Sequence, residues 1–314
     1  MKGLEISKKF YEEYGKPMLE EGFPELMGLI AVGLVGSGSE CFGYDDEVSR
    51  DHDFEHGFCI FLPDESKVDR RSEFLLERAY AKLPREYMGL TRQKVGPAGG
   101  IRHGVIRTAD FYKSKLGRSD ALETYSEWFS IPEYYLAEAV NGEVFYDGLG
   151  EFTAIRNTLR TMPDDVMKKK LAGQLFRMSQ SGQYNYSRCL EHGETAAAQL
   201  ALFEFADAAI SAAYLLEGVY RPYYKWAFRG MRSFKSLTEL PPLLEFLLTN
   251  ANGEDMAFAK TVAVEECAAH IIRVLHEREL TDAVCGDLQK HAFSVNDRVS
   301  DPVVRNADIL CAVK

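Results

Sequence analysis

Two short apolar runs with a glycine-serine break between them constrain this chain more than any other feature. Leu29-Ile30-Ala31-Val32-Gly33-Leu34-Val35 and Phe58-Cys59-Ile60-Phe61-Leu62 read as buried strands, since each is continuous, apolar and short. The first ends in Gly36-Ser37-Gly38-Ser39, and thirteen residues lie between Ser37 and Asp51-His52-Asp53. The expected order is strand, Gly/Ser turn, short helical segment and a second strand that begins with two carboxylates. Small residues around the serine hydroxyls let backbone N–H groups approach a ligand closely, which suits phosphate oxygens. Side chains two apart on a strand share a face, so Asp51 and Asp53 repel each other unless a divalent cation lies between them. Mg2+ suits such a pair, because it takes one or two protein carboxylates and completes its shell with water and substrate phosphates. On the same reading His52 points to the opposite face and is a packed histidine.

Gly36-Ser37 followed by Asp51-x-Asp53 resembles the signature of the DNA polymerase β-type nucleotidyltransferase superfamily. A longer set of residues is similar to a largely uncharacterised bacterial family that joins a catalytic domain to a C-terminal helical domain. It comprises Gly36 to Ser39, Gly43-Tyr44-Asp45-Asp46, Ser49-Arg50-Asp51-His52-Asp53 and Arg221-Pro222-Tyr223-Tyr224-Lys225-Trp226. The resemblance implies that Gly36 and Ser37, with Ser39 beside them, hold a nucleoside triphosphate, and that Asp51 and Asp53 ligate Mg2+. It also implies a third carboxylate from a later strand. The strand expected from Ile101 to Thr108 contains no acid, and Asp110 follows at a helix start, where N-capping is its structural alternative. Lys225 is expected to face the cleft and meet the triphosphate, with Arg50 and Arg188 as further phosphate ligands. Arg177, Gln180, Tyr184 and Arg188 recur at helical spacings of three and four, as a solvated face or a wall toward a nucleotide.

A chain of 314 residues exceeds the usual single domain of about 100–200 residues. Residues 1–147 mix strand and helix patterns, residues 148–314 are almost wholly helical, and the turn Asn141 to Gly148 marks the boundary. The expected fold class is therefore α+β: a small mixed sheet with flanking helices, followed by an α-helical bundle. Ser7 is the expected N-cap of a first helix carrying Phe10, Tyr14 and Met18 on one face, with Pro17 interrupting it. Val68 to Leu83 reads as a helix with Phe74, Leu75 and Ala79 inward. Leu202, Phe205, Ala209, Ala212, Leu216 and Val219 mark one face of a long helix, and Val264, Cys267, Ile271 and Val274 mark another.

The net charge of −11 argues against broad DNA binding, which needs Lys and Arg to neutralise phosphates. No apolar stretch is expected to reach the roughly 20 residues of a membrane span, and the N-terminus lacks a signal-peptide core, so the expected location is the cytoplasm. Six cysteines without CxxC spacing read as reduced thiols. His276-Glu277 lacks the second histidine of a zinc-protease helix, and no Gly-Lys-Ser/Thr follows the glycine loop, which excludes a P-loop.

These readings lead to a Mg2+-dependent enzyme that moves AMP or another nucleoside monophosphate from ATP or another NTP to an acceptor and releases pyrophosphate. The acceptor is a small molecule, a protein or an RNA; an aminoglycoside-type antibiotic is one alternative. A non-catalytic nucleotide-binding module and a protein-interaction module on the same fold are the alternatives outside enzymology. A homodimer is compatible with the family resemblance.

Overall fold

The structure, a computed structural model, describes residues 1–48, 55–92 and 103–313. The chain forms two compact units: Met1–Leu122 with Tyr135–Thr161, and Glu123–Tyr134 with Met162–Lys314.

The first unit is α+β. Its main sheet contains β1 (Ala31–Leu34), β2 (Cys59–Leu62), β3 (Gly104–Arg107) and β4 (Glu143–Asp147), in the spatial order β3-β2-β1-β4. β1 runs antiparallel to β2 and to β4, and β2 runs parallel to β3. Every residue of β1 and β2 is buried, which is why both read as unbroken apolar runs rather than alternating ones. The parallel β2–β3 pair needs a crossover, and helix Arg70–Ala81 lies within it, opened by Asp69, whose side chain accepts the Ser72 N–H. This helix is rotated from the expected face: Phe74 and Leu75 are 55% and 45% exposed, while Leu76 and Tyr80 are buried. Tyr80 accounts for the rotation, because its hydroxyl accepts the Phe58 N–H and donates to the Phe58 carbonyl. The first helix also starts earlier than expected, at Gly3. Glu5 accepts the Lys2 N–H, and Asp45 accepts the Gly3 N–H. Ser7 is therefore inside the helix and buried, where its hydroxyl accepts the Gly57 N–H.

The second unit is helical. Helices Asp164–Met178, Thr195–Glu217, Leu240–Thr249, Glu254–Glu277 and Leu288–Asn296 contribute to one apolar core. Leu202, Phe205, Ala209, Ala212 and Leu216 are buried there with Val264, Cys267, Ile271 and Val274, as their spacing predicts. Val219 is exposed, because Gly218 adopts a left-handed C-cap and ends the helix before it. By length and composition Thr195–Glu217 is apolar enough to cross a membrane, which corrects the expectation that no stretch comes near that length. Its apolar window is 67% buried within the protein.

Candidate functional site

One end of the sheet is marked by Gly33, Cys59 and Gly104, which lie side by side on β1, β2 and β3. β1 leaves the sheet there as Val35-Gly36-Ser37. Gly36 is buried with φ of 103°, a conformation that a side chain at this position would strain. Asn141 holds it from both sides: the Gly36 N–H donates to Asn141 Oδ1 at 2.8 Å, and Asn141 Nδ2 donates to the Gly36 carbonyl at 2.7 Å. Gly142, also at positive φ, follows so closely on β1 that a Cβ would collide with the Leu34 carbonyl. Its N–H donates to the Cys41 carbonyl at 2.8 Å.

Behind Asn141 lies Arg156, 1% exposed. Its guanidinium donates to the carbonyls of Ala139, Val140 and Asn141, which the end of helix Glu133–Val140 leaves without helical partners. Burial lowers its pKa to about 10, so it stays charged at neutral pH. The Gly36 turn is thus held by an amide that is itself held by a buried cation.

Ser37 is exposed at this turn, and Ser39 is half-buried. The Ser39 carbonyl accepts the N–H groups of Phe42 and Tyr44, and the Glu40 carbonyl accepts that of Gly43. Hydrogen-bonded turns therefore stand at 39–43 where a short helix was expected. Asp45 is buried and anchors the first helix. Arg50, Asp51 and Asp53 lie outside the described residues, as does His52.

Asp110 lies elsewhere. Because β3 is parallel to β2, Arg107 stands opposite Leu62, at the far end of the sheet from Gly36. Asp110 is exposed in the first turn of helix Thr108–Leu116, whose N-cap is Arg107, so Asp110 is not the cap. The residue that precedes β3 at the Gly36 end is buried His103, packed so close to Gly57 that a Cβ there would sit 2.7 Å from the imidazole.

The second unit contains a cavity of about 280 Å³, walled by the Phe129–Tyr134 segment, two helices and the Arg221–Tyr224 segment. Asp207 sits between two arginines, 3.2 Å from Arg177 Nη2 and 2.7 Å from Arg221 Nη2. Arg177 also donates to Glu204 and Gln174, and Arg221 to the Ser211 hydroxyl. Burial alone would lower the Arg177 pKa; Glu204 and Asp207 outweigh it and raise it. Glu133, also on the cavity wall, has a side chain 11% exposed, with Oε1 3.7 Å from Lys170 Nζ and Oε2 shut off from solvent and without a hydrogen-bond partner among the described residues. Tyr134 and Tyr223 meet edge to face at 5.6 Å, and Tyr224 lies 4.4 Å from Tyr223.

The Arg221-to-Trp226 motif divides here. Arg221, Tyr223 and Tyr224 line the cavity, whereas Lys225 is exposed, with its ammonium 5.1 Å from the Trp226 ring. The face expected from Arg177 to Arg188 also divides, because Ser179–Asn185 is π-helical and changes the angular step per residue. Arg177 lines the cavity, Gln180 and Tyr184 line a separate polar hollow with Glu265 and Gln289, and exposed Arg188 lies over Tyr184 at 5.0 Å.

Sequence reasoning missed Asn141, Arg156, Glu133 and Asp207. The Asn141-Gly142 pair is visible as a turn, but nothing in a linear pattern identifies a buried arginine or the partner of a carboxylate far along the chain.

Residues 128–227 match a family model described as a domain of unknown function, DUF4037. All the cavity residues named above fall within that segment. No curated protein matches the chain.

Proposed function

We propose that the protein is a Mg2+-dependent nucleotidyltransferase of the polymerase β type, moving a nucleoside monophosphate, most simply AMP, from an NTP to an acceptor nucleophile with release of pyrophosphate. The observation that carries this reading is the Gly36-Ser37 turn, fixed at positive φ where β1 ends beside the start of β2. The chain leading into β2 carries Asp51 and Asp53 in sequence. Since the Gly36 N–H is engaged by Asn141, Gly36 serves to shape the turn. Ser37, exposed beside it, offers the hydroxyl to the phosphates.

Among the described residues no three His, Cys, Asp or Glu side chains gather as a metal site, so Mg2+ in this reading rests on Asp51 and Asp53, whose oxygens suit it. When bound, it would offset negative charge on the attacked phosphate. Asp110 follows β3 at the end of the sheet remote from Gly36, and this reading assigns no third carboxylate.

The test is calorimetric titration of ATP and a non-hydrolysable analogue, with and without Mg2+, into wild type and the Asp51→Asn/Asp53→Asn double variant. Metal-dependent binding that disappears in the double variant is expected. A folded wild-type protein that binds neither nucleotide overturns the proposal and favours the interaction-module reading.

A further inference from the structure

We infer that the surface between Tyr223 and Lys235 in the second unit binds a short single strand of nucleic acid, with its cations on the phosphates and its tyrosines under the bases. This uses only residues of the second unit and stands whether or not the nucleotide reading holds.

The charge of this segment is unlike that of the chain as a whole. Acids outnumber Lys and Arg by 48 to 37 overall, yet the fifteen residues from Arg221 to Lys235 contain five Lys or Arg and no Asp or Glu. Arg221 is committed to Asp207 and Ser211. Helix Tyr224–Met231 and its C-cap Arg232 place Lys225, Arg229 and Arg232 at i, i+4 and i+7, a stripe about 10 Å long. Trp226 holds two of these cations together, with the Lys225 ammonium 5.1 Å and the Arg229 guanidinium 5.9 Å from its ring. The chain then turns to exposed Lys235 and to Ser236, which accepts hydrogen bonds from Arg273 and Arg278. Acids border the surface: Glu245 lies 3.7 Å from Arg232, and Glu277 pairs with Arg273. Both pairs are exposed, so each is worth about 1 kcal/mol or less and can yield to a phosphate. Lys225 and Lys235 form no ion pair among the described residues.

Cations alone would suit any polyanion, and the rings beside them narrow the choice. Tyr224 is 68% and Tyr223 44% exposed, with ring centroids 4.4 Å apart next to the Lys225 end of the stripe. Proteins that hold single strands combine a positive track with aromatic faces on which bases stack. A duplex keeps its bases stacked on one another, and an anionic lipid supplies charge without bases. The net charge of −11 repels a long polymer beyond the stripe, which favours a short or flexible strand.

The experiment follows the fluorescence anisotropy of labelled U, A and dT strands of about 12 nucleotides with the full-length chain. It is run without nucleotide or Mg2+, from about 50 to about 200 mM salt. At least one strand is expected to bind saturably at low salt, more tightly than a duplex of equal length. The double variant Lys225→Ala/Arg232→Ala should weaken binding by about tenfold and make the slope of log K against log salt shallower by about 1.4, since each phosphate contact on a single strand contributes about 0.7. Tyr224→Ala should weaken binding by about tenfold and leave that slope unchanged. All three positions are exposed, so the variants keep the fold, and Lys16→Ala, at an exposed position of the first unit, should change neither quantity. No saturable binding of any strand overturns the inference, as does equal or tighter binding of the duplex. An unaltered slope in the double variant overturns it too. Binding to phosphatidylserine vesicles with none to the strands overturns it and assigns the surface to a membrane.

Discussion

The Gly36 turn of the first unit and the cavity wall of the second hold their shapes by different chemistry. At the turn, an amide and a buried guanidinium donate to backbone carbonyls. At the cavity, guanidinium groups are paired with the half-exposed carboxylates of Glu204 and Asp207. Backbone carbonyls do not titrate and are little screened when buried, whereas exposed carboxylate pairs weaken with salt. One site is built to keep its geometry across conditions; the other responds to the ionic medium.

The largest test of this contrast is Arg156→Met. It should cost about 3 kcal/mol in denaturant unfolding, because three carbonyls, one buried and two partly buried, lose donors together, and the loss should be similar in low and high salt. A cost that disappears in high salt would erase the distinction. Gly142→Ala should follow at about 2 kcal/mol, from a side chain in the left-handed region set against β1. Asn141→Ala, which frees both backbone groups of Gly36, should cost about 1–2 kcal/mol and, if the nucleotide reading holds, weaken ATP binding in the same titration. Asp207→Asn should cost only about 1 kcal/mol or less, and that loss should shrink as salt is raised. If it does not shrink, the cavity wall is as insulated as the turn.

The smallest effect is one in which the two units should agree. Burial lowers the pKa of His56 in the first unit and of His291 in the second. A histidine lowered on folding contributes stability that is complete above its unfolded pKa of about 6.5 and declines as pH falls toward the lower folded value. Unfolding at about pH 7.5 and about pH 5.5 should therefore show lower stability in acid, with the difference reduced in both His56→Gln and His291→Gln. The hydrogen bonds fit neutral rings. His56 donates from Nε2 to the Pro84 carbonyl, and His291 donates from Nε2 to that of Cys285 while accepting at Nδ1 from Thr281.

The parts of the fold that could be read in the sequence were those where burial leaves a local pattern. β1 and β2 are buried on both faces and appear as apolar runs; the core faces around Leu202 to Leu216 and Val264 to Val274 appear as helical periodicity. Features set by distant partners could not be read. The rotation of helix Arg70–Ala81 depends on Tyr80 finding Phe58, and the early start of the first helix depends on Asp45 reaching the Gly3 N–H. The Gly36-Ser37 turn was legible because glycine there has a local conformational reason, but its clamp by Asn141 and Arg156 joins residues more than a hundred positions apart. The cavity pairs Glu133 with Lys170 and Asp207 with Arg221, and neither pairing follows from spacing.

Residues Glu123–Tyr134 belong to the helical unit although the chain on both sides of them belongs to the other. Neither unit is therefore a single continuous stretch, and no one cut can release both intact. During synthesis, Asn141 and β4 must emerge before the Gly36 turn can close, while Phe129 and Glu133 wait for helices made later. A fragment beginning at Met162 would keep most of the helical core yet lack one wall of its cavity, so it could fold and still be empty of function.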